Sequence, residues 1–418
     1  MKEFRNSLRI LISRSPLRAL RHRDFALAEL AGWFSGGGFW FYKIGLGILT
    51  WELTESGFWL AFIALSDAVP AILLSPIAGA VVDRYDRLVV GRIVQASIMV
   101  VTAILAWVTL AGWANLFVLV ALAASHGISA AFWMPLRMAI APTLVPKEDL
   151  AAAIAIHSTL FNLARFLFPA LAIPVLAKWG VGVAFAVNAV GYSFYLMVLF
   201  MIRIVNPDEK ANLRVGMLAN LKEGLIYSLS HPTMKYLLLM LVVTSVCLHS
   251  YMEILPGITK TLFGRDPREG VAILVSAAGF GAIFSSLAIG NLSRTRSVFI
   301  AYFLCLFLSV LSLFLLGSTT SFGLGIAVMV LVSGAQMGMI ISGQIIVQSA
   351  VEGSFRGRVM SLWALGQRAG PAFGALILGT MADFIGFQWP IILGAAAAAL
   401  MAVFVYTHRQ EMYQAAMR

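Results

Sequence analysis

Apolar residues in this chain do not alternate with polar ones; they run in long blocks separated by short clusters that hold nearly all of the charge. Each block is close to the ~20 residues an α-helix needs to cross the ~30 Å hydrocarbon core of a bilayer. Lipid offers the backbone no hydrogen-bond partners, so blocks of this kind must be helical. The blocks predict six spans over about 25–51, 58–82, 93–112, 115–137, 151–178 and 181–202. Six more follow over about 234–262, 271–292, 298–317, 322–347, 359–384 and 389–406. The predicted fold is an all-α polytopic membrane protein of about twelve transmembrane helices in two pseudo-symmetric six-helix halves, 25–203 and 234–407. A cytoplasmic linker, 204–233, joins them, and a tail, 408–418, follows. Residues 1–24 carry Phe4, Leu8, Leu11 and Ile12 at helical spacing among arginines, which predicts a helix lying on the membrane surface. That segment has neither the apolar core nor the cleavage site of a secretory leader.

Composition agrees: 60% of the 418 residues are hydrophobic and only 12% are charged, too few to solvate a globular surface. The net charge of +11 would suit a nucleic-acid partner, but the position of the basic residues argues against one. With both termini inside, 23 of the 30 lysines and arginines fall on the cytoplasmic side. Four lie outside (Lys178, Lys260, Arg265 and Arg268) and three within spans (Lys43, Arg165 and Arg368). The expected location is a bacterial inner membrane, with the chain multi-pass and monomeric. Cys247 and Cys305 sit in apolar blocks as small packing residues, so neither a disulfide nor a metal site is expected. No H-E-x-x-H, G-x-S-x-G or phosphate-loop pattern occurs, so an enzyme is not expected and no cofactor is implied.

One charged island stands out, running from Gly79 through Asp83, Arg84 and Asp86 to Arg87 between the second and third blocks. It predicts a tight turn in which Gly79 lets backbones approach, Asp83 sits beside a helix N-terminus, and Arg84 and Arg87 face water. The pattern resembles the G-x-x-x-D-R-x-x-R loop of the major facilitator superfamily, where it acts as a cytoplasmic conformational latch. Gly127-Ile128-Ser129-Ala130-Ala131-Phe132-Trp133-Met134-Pro135-Leu136-Arg137, followed by Pro142-Thr143-Leu144-Val145-Pro146, is similar to the fourth-helix signature of one bacterial branch. Lys222-Glu223-Gly224 with His231-Pro232, and Arg356-Gly357-Arg358, resemble the same branch. It contains enterobactin-type siderophore exporters and macrolide efflux proteins. Members often carry an acid after the mid-span-one glycine; this chain has Gly36-Gly37-Gly38 there, so no coupling role transfers to that place.

Ionisable residues in lipid are costly and need a partner or a wet cavity. Three acids (Glu29, Asp67 and Glu253) and the bases Lys43, Arg165 and Arg368 fall within predicted spans. The resemblance implies a cavity lined by spans one, four, seven and ten, which places Glu29, Lys43, His126, His249, Glu253 and Gln344 near it. His249 and Glu253, at i and i+4, share a face if span seven is a continuous helix, which makes Glu253 with His249 the proton-carrying candidate. Glu29 is a further coupling candidate, and a structural pairing of Glu253 with His249 is the competing reading. Arg165 and Arg368 follow Asn162 and Gln367 and precede Pro169 and Pro371 on corresponding helices of the two halves. They are expected to pair with Asp67 or helix-end carbonyls as gate residues. Of the aromatic block Trp33 to Tyr42, most members suit belts and helix contacts, while Phe39 and Trp40 are cavity candidates.

The expected function is secondary export of a small amphipathic molecule by alternating access, driven by a proton gradient. A lipid or lysolipid flippase is the alternative, with a membrane-embedded enzyme ranked behind it.

Overall fold

A computed structural model describes residues 16–204, 217–290, 292 and 294–417. Phe4, Leu8, Leu11 and Ile12 of the expected surface helix lie outside the described residues, as does the linker stretch 205–216.

The described residues are helical almost throughout. In chain order the elements are α1 (Arg23–Thr54), α2 (Gly57–Arg84), α3 (Arg87–Leu110), α4 (Leu116–Ile140), α5 (Leu150–Met201), α6 (Met217–Ser230) and α7 (Pro232–Cys247). They continue as α8 (Leu255–Thr261), α9 (Pro267–Gly290), α10 (Thr295–Ser318), α11 (Phe322–Ala350), α12 (Gly353–Ile385), α13 (Gln388–Thr407) and α14 (Arg409–Ala416). Nine helices among the described residues are long and apolar enough to cross a membrane. One of these, α5, has 52 residues and a non-helical break at Gly180, so it makes two passes. With the 32-residue α1 and 33-residue α12, which are long but more polar, the expected twelve passes are accounted for.

Packing divides the chain into two units: Met1–Gly45 with Leu73–Leu213, and Leu46–Ile72 with Arg214–Arg418. In the first, α3 packs mainly on α5 and α4. Its core joins Phe25, Ala28 and Ala31 of α1 to Val94 and Ile98 of α3, Leu136 of α4, and Tyr192, Tyr195 and Val198 of α5. In the second, α11 packs on α9 and α10, and α12 on α7. The core there joins Leu237 and Met240 to Tyr302, Ile346 and Trp363. Residues 46–72, the end of α1 and the start of α2, thus pack with the later half of the chain.

The charged island forms the tight turn expected of it. α2 runs on through Asp83 and Arg84, and only Tyr85 and Asp86 form the turn. Asp86, not Asp83, caps the next helix, accepting from the amides of Leu88 (2.8 Å) and Val89 (3.0 Å). The reason is positional: a cap must immediately precede the helix whose free amides it meets, and Asp83 still lies inside α2. Among the described residues, a β-carbon on Gly79 would meet no atom within 4 Å. Arg84 is exposed, and Arg87 donates to the Ala139 carbonyl at the end of α4 (3.2 Å).

In the same unit, Arg18 Nε and His22 Nε2 reach the two oxygens of Asp149 at 2.9 and 2.8 Å. Those contacts, the His22 hydrogen bond first, hold the Asp149 carboxyl below its ordinary value of 3.8. A depressed carboxylate stabilises the folded form above its unfolded pKa and loses that contribution as pH falls through the folded one. Docking of 16–22 is therefore expected to be insensitive to Asp149 from about pH 5 to 8 and to loosen only below about 3.8. Hydrogen exchange of this segment across pH, corrected for intrinsic rates, checks it.

Candidate functional site

The first unit buries an ionic cluster. Glu29 of α1 is 4% exposed and Arg137 of α4 6%. His157, in the first limb of α5, completes the group. Its Nδ1 lies 2.9 Å from Glu29 Oε1 and 3.1 Å from Oε2. Facing an ionised Glu29, which would only accept, Nδ1 is the donor. Arg137 Nη2 stands 4.0 Å from Oε2, too long for a hydrogen bond but within ion-pair range. The guanidinium lies 5.7 Å from the centre of the Trp133 ring. It also lies along α1, where β-carbons on Gly32 and Gly36 would stand 3.5 Å from it, in ordinary contact. Gly37 receives the Phe168 ring, which leaves α1 continuous through its three glycines.

About two turns along α1, Phe39 and Tyr42 meet His126 of α4. The His126 and Tyr42 rings stack at 4.0 Å, with Phe39 at 6.4 Å, and His126 is almost fully buried. Trp40 and Lys43 are half-buried on the same helix.

In the second unit, span seven is not one helix. α7 ends at Cys247, a 3-10 turn covers Ser250–Met252, and α8 begins at Leu255. The i and i+4 geometry expected of His249 and Glu253 does not apply, because the two residues flank that turn. His249 Nδ1 donates to the Thr244 carbonyl at 3.0 Å. The break is held from outside: Gln336 of α11 donates to the Leu248 carbonyl at 2.6 Å, and Gly374 of α12 leaves room for Ser250 and Val246. Gln344 is half-buried further along α11. Asp67 is the acidic group that acts on Arg368 within this unit. Arg165 is half-buried in α5 of the first unit.

Asp383, in the last turn of α12, is a further organised charge. It accepts from Ser56 Oγ (2.7 Å) and from the amides of Gly57 (2.5 Å) and Phe58 (3.0 Å). An acid opposes the dipole at its own helix's C-terminus, but here it meets the free amides that open α2, where the dipole favours it. The backbones touch beside it, since a β-carbon on Gly57 would collide with the Gly379 carbonyl. Trp51 packs edge-on against Phe387 at 5.5 Å. Arg268 Nε donates to Glu52 Oε1 at 2.7 Å, but both side chains are at least a third exposed or nearly so, at 44% and 32%. Exposed pairs contribute about 0–1 kcal/mol. Arg268→Ala is therefore expected to change transport and stability by less than about fivefold, as a transport assay would show.

His157, Asp383, Glu52 and Gln336 are absent from the residues that spacing singles out. His157 adds no charge to a count of acids and bases, and Asp383 reads as a solvated span end.

A twelve-pass helical membrane protein with buried charges and a broken seventh span is built as a transporter of the major facilitator superfamily. Residues 14–417 match the family model described as a transmembrane secretion effector, and the chain belongs to that family. It is 26% identical over 376 residues to the staphyloferrin A transporter of Staphylococcus aureus, covering 89% of this chain and 93% of that one. It is 24% identical over 357 residues to macrolide efflux protein A of Streptococcus pyogenes, covering 82% and 85%. Among solved structures, a bacterial homologue of the human lysosomal transporter Spinster, inward-facing and unoccupied, superposes with a TM-score of 0.71 at 14% identity, covering 95% of this chain and 97% of that one. The inward-open xylose transporter XylE of E. coli gives 0.67 at 14%, covering 92% and 95%. The chain is thus a multi-pass membrane transporter of small molecules and not an enzyme.

Proposed function

We propose that this transporter exports a small amphipathic molecule, of the siderophore or macrolide kind, in exchange for protons by alternating access. The buried Glu29, His157 and Arg137 cluster carries the reading. A carboxylate held by one donor and facing one cation changes the charge of its site by a full unit when protonated, and a buried site responds to that strongly. Protonation of Glu29 removes the negative charge that His157 and Arg137 face, while one oxygen can still accept from His157. This is the two-state element that the gradient biases. Lys43, His126, Phe39, Trp40 and Gln344 are the cargo-contact candidates. Gly79, Asp83, Arg84 and Arg87 stand as the cytoplasmic latch, and Asp67, Arg165 and Arg368 as gate charges. Glu253 with His249 is the second coupling site to be tested.

With both termini inside a bacterial inner membrane and the chain monomeric, the α1–α2 turn faces outward. Asp383 then fastens the outer face, and release of 46–72 from α12 precedes cargo exit.

The magnitudes suffice. One proton entering down one pH unit yields ~1.4 kcal/mol. A potential of ~100 mV adds ~2.3 kcal/mol. For a neutral cargo the two together sustain a concentration ratio of about 500-fold. Expression in a host stripped of its own exporters, challenged with macrolides and profiled for secreted metabolites, tests the reading. Resistance or secretion is expected; headgroup-dependent lipid movement without a proton requirement would replace export with lipid flipping.

A further inference from the structure

A groove of about 550 Å³ opens where α10, α13 and α14 meet in the second unit. Its floor is apolar and aromatic, with Ile300, Leu304 and Phe307 of α10 beside Tyr406 of α13. Ile300 and Leu304 are 58% and 65% exposed, so this floor is an open surface. Its upper rim is basic. Arg296 stands in the first turn of α10, and Arg409 follows the end of α13, so both lie at the ends of membrane-length helices. Arg409 is fixed in place: Nη1 donates to the Tyr406 carbonyl at 3.1 Å and the guanidinium stands 4.2 Å from that ring's centre. Among the described residues, none that lines the groove is acidic. Glu411, the acid of α14, acts on Tyr236 of α7 instead.

Depth decides what fits. From Arg296 to Phe307 the groove descends eleven residues of helix, about 16 Å at ~1.5 Å per residue. That is about half of the ~30 Å hydrocarbon core, the thickness of one leaflet. A site with two guanidinium groups at the water boundary and an aromatic floor one leaflet deep matches an ester-linked phospholipid with its phosphate at the top. Guanidinium groups take phosphate oxygens in pairs, and basic pockets between transmembrane helices on one face of a membrane suit anionic headgroups.

We propose that this groove is a binding site for an anionic glycerophospholipid, its phosphate between Arg296 and Arg409 and one acyl chain laid against Ile300, Leu304 and Phe307. The occupant steadies α14, which is already tied to α7 by the hydrogen bond from Thr233 Oγ to the Met412 carbonyl at 2.8 Å. This site is separate from the ionic cluster and does not depend on the direction or coupling of transport.

Native mass spectrometry of the full chain in an equimolar mixture of phosphatidylglycerol and phosphatidylcholine tests it. The parent chain should retain phosphatidylglycerol about tenfold or more over phosphatidylcholine, since each arginine near an anionic headgroup is worth roughly fivefold. Arg296→Gln with Arg409→Gln should bring that preference to within about twofold. Both side chains are exposed, so the variant is expected to fold, and Lys178→Gln at another span end should behave as the parent. Inorganic phosphate should not displace the lipid, and a short-chain phosphatidylglycerol should bind more weakly. An unchanged preference in the double variant, or displacement by inorganic phosphate alone, would overturn the proposal.

Discussion

Glu29→Gln is expected to abolish proton-driven transport while leaving a folded protein that still exchanges cargo for cargo. Glutamine keeps an oxygen to accept the His157 Nδ1 proton at the 2.9 Å position, so the hydrogen bond survives. What it removes is the charge and the ability to bind a proton. Breaking a buried ion pair by deleting one partner costs up to ~3–5 kcal/mol when the remaining charge is stranded. Here the loss is smaller, because Arg137 also faces the Trp133 ring and is already 4.0 Å from the carboxylate. Driven uptake into inverted vesicles should therefore fall at least a hundredfold, while counterflow, which needs no net proton movement, stays within about threefold of the parent. His157→Ala should cost about tenfold in driven transport, since it leaves Glu29 only the longer contact to Arg137. Glu253→Gln is expected to keep most of it. Retention of driven transport by Glu29→Gln and its loss in Glu253→Gln would move the coupling site to span seven.

Asp383→Ala is expected to loosen the opening turn of α2 by about 5–30-fold. Its carboxylate satisfies two backbone amides and one hydroxyl, and hydrogen bonds to charged groups contribute ~1.5–3 kcal/mol when sheltered. Asp383 is exposed, so water screens it, and a value of about 1–2 kcal/mol, near that of an ordinary helix cap, is the better expectation. That energy is a factor of about 5–30 in the population of the fastened state. Hydrogen exchange at Gly57 and Phe58 should accelerate by this factor, with the rest of α2 nearly unaffected. Unchanged exchange there would mean that the Gly57 and Gly379 backbone contact holds the turn without Asp383. The contrast with Arg268→Ala is instructive: both acids, Asp383 and Glu52, sit at the α1–α2 turn, yet only Asp383 meets donors that have no other partner in the helix.

The spans were legible because lipid imposes one solution on an apolar block: a helix long enough to cross. Even the break between spans five and six falls between the predicted ends at 178 and 181, at Gly180 with its φ of 76°. Polar partnerships left far less trace. Glu29 meets residues more than a hundred positions away, and Arg137 lies at the edge of an apolar block where it reads as solvated. The tight turn of the island was legible, but its cap was not: Asp83 carries the resemblance, while capping falls to Asp86, the residue just before the next helix. Span seven reads as continuous because 247–255 is mostly apolar. Its break is stabilised by Gln336 and Gly374 on other helices, so periodicity along the span itself says nothing of it. Asp383 acts on backbone amides, which are the same in every sequence.

The most direct measurement reconstitutes the purified chain in liposomes, loads a pH-sensitive dye inside, and imposes a gradient of a macrolide or siderophore in the absence of any ion gradient. Cargo movement in one direction should drive protons in the other, with a signal that disappears in Glu29→Gln. Cargo movement with no pH change in the parent chain, or an undiminished pH change in Glu29→Gln, would contradict proton exchange at the Glu29, His157 and Arg137 cluster.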